Sequence, residues 1–261
     1  IPLVAPLKVR HRVLFSPDAY DQPFLRRALS VGVSSGGHSH SIELLEPSFF
    51  FKYLDSIFCV GQWQADTFVD KLGFPEEKIY VTQNGFFPGY FSPRPLSERA
   101  PGLFYSSTPF RGLEHLLEIF PRVQKEVPAA VCQVYSGLAV YGASEDEDRR
   151  LHGHLYDALR AKGVRSHGSV VQRELAEAMC DSAVMAYPNN FEETFCISVL
   201  EAQAAGMPVV TSAKGALKER VEHGVDGFLV EGDPASEEYR KAFVGHVVEL
   251  LKSDELWQKM S

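Results

Sequence analysis

Two glutamates, Glu193 and Glu201, stand eight residues apart around what reads as the start of a short helix. The stretch Asn189-Asn190-Phe191-Glu192-Glu193-Thr194-Phe195-Cys196-Ile197-Ser198-Val199-Leu200-Glu201-Ala202-Gln203-Ala204-Ala205-Gly206-Met207-Pro208-Val209-Val210 has the pattern of strand end, polar turn, helix, glycine stop and buried strand. Ile197, Leu200 and Ala204 form an apolar stripe at helical spacing. Glu201, four residues after Ile197, projects from the same face. A carboxylate there needs hydrogen-bond partners to offset its desolvation. The turn before the helix presents unpaired backbone N–H groups and the positive end of the helix dipole, a setting that suits phosphate. At about 1.5 Å of rise per residue, Glu201 lies well down the helix from that anion site. A ligand with hydroxyls at each end and a diphosphate between them meets all three features, and a nucleotide sugar is such a ligand. An amphipathic helix with two incidental acids, one of them capping, is the plainer alternative for either glutamate alone.

These residues need a scaffold, and the chain offers an alternation of strand-like and helical patterns, the signature of parallel α/β architecture. Strands are expected over residues 12–15, 57–60 and 78–82, with a helix over 62–72 and a turn at Asn84-Gly85. Residues 86–101 hold four of the 16 prolines and little periodicity, and read as an interdomain connection. A fresh βα series follows, with strands over 103–105, 130–135, 164–166, 183–187, 208–211 and 227–230. Helices are expected over 112–125, 145–161 and 172–180, at the Glu201 segment, and from residue 236 onward. About six strands in ~160 residues suffice for a complete nucleotide-binding α/β domain. The expected organisation is an incomplete α/β domain over residues 1–85, a linker over 86–101 and a ligand-binding domain over 102–261. The charge run at residues 145–150 reads as a solvated helix start.

Composition narrows the class. The 261 residues are 45% hydrophobic and 23% charged, ordinary for a globular protein. A formal net charge of −8 argues against nucleic acid or an anionic membrane as partner. No run approaches the ~18–20 apolar residues of a membrane span, and the apolar stretch at residues 1–7 is too short for a secretory signal. Cys59, Cys132, Cys180 and Cys196 show neither Cys-x-x-Cys pairing nor metal-ligand spacing, so a reducing cytoplasm is expected. A helix N-terminus beside Cys196 could lower its thiol pKa, but a small packing residue is the favoured reading over a nucleophile. His38 and His40, separated by a single residue, read as loop residues rather than a metal pair.

The Glu193 segment resembles the donor-site signature of retaining glycosyltransferases of family 4, which have the GT-B fold. The resemblance rests on Pro188, Glu193, Glu201-Ala202 and Ala204-Ala205-Gly206-Met207-Pro208-Val209-Val210. It continues through Gly215-Ala216-Leu217-Lys218-Glu219-Arg220-Val221 and Gly224-Val225-Asp226-Gly227-Phe228-Leu229-Val230. It implies a Rossmann-like donor domain joined to an N-terminal acceptor domain. Ser16-Pro17-Asp18, Cys59-Val60-Gly61-Gln62-Trp63-Gln64 and Asn84-Gly85 match the second half of that N-terminal domain. On this basis the chain is expected to be truncated at both ends, with the missing segments or an oligomeric partner completing the enzyme.

The resemblance also assigns roles. In Tyr105-Ser106-Ser107-Thr108-Pro109-Phe110-Arg111-Gly112-Leu113, Arg111 stands at the family's lysine position, where its fork of donors would grip the diphosphate. Ser106 stands at the family's arginine position and would donate one neutral hydrogen bond without neutralising charge. A cation at a helix start is unfavourable unless an anion lies near, which supports the binding role for Arg111. Glu193 would bind donor-sugar hydroxyls and Glu201 ribose hydroxyls. Thr194 and the backbone amides of Phe195, Cys196 and Ile197 would complete the phosphate site. His167-Gly168-Ser169-Val170 would flank the base, with Gly168 allowing close approach and Tyr135-Ser136-Gly137 as a further wall. Asp18 and Asp21 are acceptor-side candidates, although an Asp in such a turn is most often a turn former.

The implied reaction is metal-independent transfer of a sugar, with retention of configuration, from a nucleotide diphosphate sugar to a glycan or other hydroxyl acceptor, without a cofactor. Glu193, Arg111 and Asp18 are the expected catalytic residues. Another GT-B enzyme such as a nucleotide-sugar epimerase, or a nucleotide-sugar-binding fragment without turnover, stands as the alternative.

Overall fold

Short apolar runs and amphipathic stretches fold into two parallel sheets, one in each of two units, Ile1–Asn84 and Gly85–Ser261. The computed structural model describes residues 13–15 and 55–261. Asp18, Asp21, His38 and His40 lie outside the described residues.

In the first unit, strands β1 (Val13–Phe15), β2 (Ser56–Cys59) and β3 (Ile79–Val81) pair in parallel in the order β1-β2-β3. Helix α1 (Gln62–Leu72) connects β2 to β3 and stops at Gly73, whose φ of +66° supplies the left-handed turn that caps a helix. Ile57, Cys59, Ala65, Phe68 and Phe74 form a small core.

The second unit carries β4 (Ala100–Ser106), α2 (Leu113–Glu126), β5 (Val131–Tyr135), α3 (Glu145–Ala158), β6 (Val164–Ser166) and α4 (Gln172–Cys180). It continues with β7 (Ser182–Tyr187), α5 (Ile197–Ala204), β8 (Val209–Ser212), α6 (Leu217–Arg220), β9 (Gly227–Val230), α7 (Glu237–Lys252) and α8 (Asp254–Met260). All six strands are parallel, in the order β6-β5-β4-β7-β8-β9. The chain winds outward from β4 to β6, then returns to the middle and winds the other way. The winding reverses between β4 and β7, and ligands in open α/β sheets collect outside the strand ends at that point. Both central strands are covered on two faces. Leu103, Phe104 and Tyr105 of β4 and residues Ala183 to Tyr187 of β7 are therefore fully buried apolar runs rather than alternating ones.

Residues 86–101, expected as an aperiodic connection, are fastened to this unit. Two 3₁₀ turns, Pro88–Tyr90 and Leu96–Glu98, set Phe91 and Leu96 against its core. Arg99, only 6% exposed, donates to the carbonyls of Arg94 (2.7 Å), Ser182 (3.0 Å) and Ala205 (2.6 Å). Its guanidinium lies 4.8 Å from the Trp257 ring centroid, and Trp257 donates in turn to the Ala183 carbonyl at 2.7 Å. Arg99 Nη1 also reaches the Met179 carbonyl of α4 at 3.4 Å, so the cation meets the carbonyl ends of α4 and α5, where the helix dipoles are negative. Arg99→Met should remove this donor from the Ser182 and Ala205 carbonyls, whose hydrogen bonds to it are buried, and cost about 3 kcal/mol. Urea unfolding would read this as a lowered midpoint at unchanged slope.

Among the described residues no helix is long and apolar enough to cross a membrane.

Candidate functional site

Two turns at the reversal point carry the charged residues. The turn after β4 holds Arg111, and the turn after β7 holds Glu193. Gly112 allows them to meet. Its φ is +96°, and a Cβ on it would lie 2.2 Å from the Pro188 carbonyl oxygen, so only glycine lets the two turns touch. The Glu193 backbone is held from the other side by the turn after β8. Ala216 N–H donates to the Glu193 carbonyl at 2.9 Å, and a Cβ on Gly215 (φ +55°) would lie 2.7 Å from that same oxygen. Asn189 closes the turn internally, accepting from Phe191 N–H at 2.8 Å, while Ser212 donates to the Asn189 carbonyl at 2.6 Å.

Arg111 Nη1 donates to both Glu193 oxygens, at 3.2 and 3.3 Å, and the side chains are 13% and 6% exposed. The guanidinium carbon lies 4.5 Å from the Phe191 ring centroid and 5.6 Å from that of Phe110, and Nη2 donates to Tyr141 Oη at 3.3 Å. Tyr187 donates its hydroxyl proton to Glu193 Oε1 at 2.5 Å and lies 3.2 Å from Ser107 Oγ. Tyr105, its ring 5.8 Å from that of Tyr187, donates to the Thr108 carbonyl at 2.8 Å and reaches the Arg111 carbonyl at 3.3 Å. Burial above all holds both tyrosines well above the ordinary phenol pKa, so they act as neutral donors. One tyrosine steadies the arginine turn and the other the carboxylate.

The expected stripe on α5 is reversed. Its core face is formed by Val199 and Ala202, with Cys196 and Ala205 at its two ends, whereas Ile197 is 45% exposed and Leu200 and Ala204 are only partly covered. Glu201 does share the Ile197 face, but that face turns away from the sheet. Small residues suffice where the helix packs closely on the strands, so the larger aliphatics did not mark the core side. Glu201 is buried against α4 instead, where Gln172 Nε2 donates to its Oε1. Desolvation raises the Glu201 pKa, and the Gln172 hydrogen bond opposes the rise. Cys196 is the small packing residue favoured from the sequence. It begins α5 in a left-handed conformation (φ +67°), and burial, then the Glu193 charge, push its thiol well up rather than down. It is a packed thiol, not an activated one.

Ser106 is buried at the end of β4, and Thr194 and Phe195 are buried in the turn before α5. The Phe195 ring centroid lies 4.4 Å from the Arg220 guanidinium carbon. Gly168 (φ +65°) turns the chain between β6 and α4 beside His167, which stacks on Tyr135 at 4.3 Å and 7° and pairs through Nε2 with Gln133 Oε1 at 2.7 Å. Burial lowers the His167 pKa, so it stands as a neutral ring. Asp148, expected to be solvated, turns inward and accepts from Leu138 N–H at 2.8 Å and the Tyr156 hydroxyl at 2.6 Å, fixing the start of the loop that carries Tyr141.

Tyr187, Gln172, Tyr141 and Lys214 were not singled out from the sequence. Tyr187 had a legible signal, a polar-tipped aromatic at the C-terminal end of a buried strand. Lys214, whose ammonium donates to the Asn190 carbonyl at 2.7 Å, precedes Gly215 past another strand end. Gln172 and Tyr141 had none. Among the described residues no group of three or more His, Cys, Asp or Glu is arranged to hold a metal ion.

Residues 102–253 match the family model described as glycosyl transferases group 1, which covers more than half of the chain. A D-inositol 3-phosphate glycosyltransferase of Streptomyces griseus is 44% identical over 69 residues, 26% of this chain and 14% of that protein. Spore coat protein SA of Bacillus subtilis is 25% identical over 150 residues, 58% of this chain and 38% of that protein. The chain thus spans well under half the length of these relatives. Among solved structures, Anabaena Alr3699/HepE in complex with UDP and glucose superposes with a TM-score of 0.68 at 19% identity, covering 95% of this chain and 65% of that one. Sucrose-phosphate synthase from Thermosynechococcus elongatus gives 0.67 at 18% identity, covering 89% and 58%. At these identities the structural likeness is one of fold, the α/β architecture of GT-B glycosyltransferases.

Proposed function

Since the chain belongs to the group 1 glycosyl transferases, we propose that its second unit binds a nucleotide diphosphate sugar for transfer to a hydroxyl acceptor with retention of configuration, the chemistry of family 4. The supporting observation is the Arg111–Glu193 pair, a cation and a carboxylate buried together where the winding of the sheet reverses. A diphosphate entering there would exchange the guanidinium's contact with Glu193 for charge-assisted bonds to phosphate oxygens. The amides of Phe195, Cys196 and Ile197, at the start of α5, would add neutral donors. Glu193 would then face the sugar hydroxyls. Ribose hydroxyls donating to Glu201 would offset the desolvation that now raises its pKa.

In the reaction, the bond between the anomeric carbon and the diphosphate oxygen breaks, and the electron pair leaves with the diphosphate. Arg111 and the amides stabilise the charge that builds there. The acceptor oxygen bonds to the anomeric carbon on the same face and gives its proton to the leaving phosphate oxygen, so no separate protein base is required.

Titrating the purified chain with UDP-, GDP- and ADP-sugars, followed by assays of transfer and donor hydrolysis, tests this reading. Binding of at least one donor, weakened in Glu201→Ala and Arg111→Ala, is the expected result. No binding to any nucleotide, with both variants indistinguishable from the parent, would remove the proposal. Binding without turnover would favour a second reading, a nucleotide-sugar-binding module. The neutral Ser106, buried where the family's second cation would stand, supports that reading.

A further inference from the structure

Proton counting around Glu193 gives a direction to the contacts beneath it. An ionised carboxylate only accepts, and a tyrosine hydroxyl has one proton to donate. That proton is committed to Glu193 Oε1, 2.5 Å away. Any hydrogen bond across the 3.2 Å between Tyr187 Oη and Ser107 Oγ then has the serine hydroxyl as its donor. The chain of donors begins just past the end of β4, crosses at the end of β7 and terminates on the carboxylate.

Packing does not need this hydroxyl. The Tyr187 ring is fully buried against Tyr105, and the Tyr187 carbonyl is separately held by Thr211 Oγ1 at 2.8 Å. A phenylalanine would keep both features. What the hydroxyl adds is a hold on one named oxygen of Glu193, independent of Arg111. That independence matters once a donor arrives, because a diphosphate competes for the guanidinium and loosens its hold on the carboxylate. A neutral, buried phenol has no such competitor.

We infer that Ser107 and Tyr187 form a one-way hydroxyl chain that keeps the Glu193 carboxylate set for the donor sugar while Arg111 turns to the diphosphate. Tyr187 is thereby a positioning residue of the transfer, and the inference rests on the donor-site reading above.

Tyr187→Phe and Ser107→Ala in the full chain test it, using UDP, GDP and ADP beside UDP-glucose, GDP-mannose and ADP-glucose as probes. Tyr187→Phe should leave nucleoside diphosphate affinity within about 2-fold of the parent. It should lower sugar-dependent affinity or kcat for transfer or donor hydrolysis by about 10-fold or more, the scale of one hydrogen bond to a charged group. The acidic limb of the sugar-dependent pH profile should move to higher pH, because the carboxylate loses a donor that favours its ionised form. Ser107→Ala should act in the same sense at about 3-fold, the scale of a weak neutral hydrogen bond. A Tyr187→Phe variant whose sugar-dependent binding, turnover and pH limb match the parent overturns the inference. So does one that weakens diphosphate and nucleotide sugar equally, since a structural role predicts uniform loss. A parent chain that binds none of the six probes overturns the donor-site reading instead.

Discussion

Arg111→Met is expected to weaken nucleoside diphosphate binding by about 10- to 100-fold, the range of one hydrogen bond between a charged donor and acceptor. Arginine and methionine are of comparable length, so contact with the Phe191 and Phe110 rings is largely kept while the charge is removed. Calorimetric titration with UDP, GDP and ADP would measure the loss. Stability should fall too, because the buried Glu193 loses the charge of Arg111. Removing one partner of a buried pair costs about 3–5 kcal/mol, and here the continuing Tyr187 hydrogen bond should keep the loss near the lower end. The two effects separate in a double-mutant cycle. Adding Glu193→Gln to Arg111→Met should restore most of the stability and none of the diphosphate affinity. Glu193→Gln alone should remove the carboxylate charge that competes for the guanidinium, so nucleoside diphosphate binding is expected to hold or tighten while sugar transfer falls. An Arg111→Met chain that binds diphosphate like the parent would show that this cation does not serve the anion.

Gly112→Ala is the second substitution with a large expected effect, acting on geometry rather than charge. Alanine at φ +96° carries a backbone penalty of about 1–2 kcal/mol. Its Cβ would also lie 2.2 Å from the Pro188 carbonyl oxygen, a backbone atom that no rotamer change can move aside. Relief requires the arginine turn and the glutamate turn to separate. With overpacking added, the expected loss is about 3 kcal/mol. A displacement of about 1 Å between the two charged side chains could lower turnover by about 100-fold. Gly224→Ala supplies the comparison, since Gly224 also has a positive φ (+82°) but nothing within 4 Å of an added Cβ. It should cost only the backbone term, about 1–2 kcal/mol, and leave ligand binding unchanged. Equal losses in the two variants, by urea unfolding and nucleotide titration, would show that the contact with Pro188 does not set the site.

The amino-acid sequence by itself determined the kinds of elements and much of their extent. Strand β6, helices α1 and α4 and strand β9 fall at residues 164–166, 62–72, 172–180 and 227–230, as their patterns predict. Apolar periodicity and glycine punctuation are local properties, and local backbone preference decides them. The same holds for the Glu193-to-Glu201 segment, whose turn, helix, glycine and strand follow in the expected order.

Tertiary structure alone decided what meets what. Arg111 and Glu193 are 82 residues apart, and their contact exists because β4 and β7 are neighbours in the sheet and Gly112 lets their turns touch. Helical spacing correctly put Glu201 on the face of Ile197, but not whether that face meets the sheet, so the core side was assigned in reverse. Cys196 was legible as a residue at a helix start, yet its thiol is governed by burial and by the charge of Glu193, which no local pattern displays. Gln172 and Tyr187 reach their carboxylates only through strand order and helix packing. Sequence periodicity specifies which side chains share a face. Which face is buried, and which charge lies across from it, depends on contacts between elements distant along the chain.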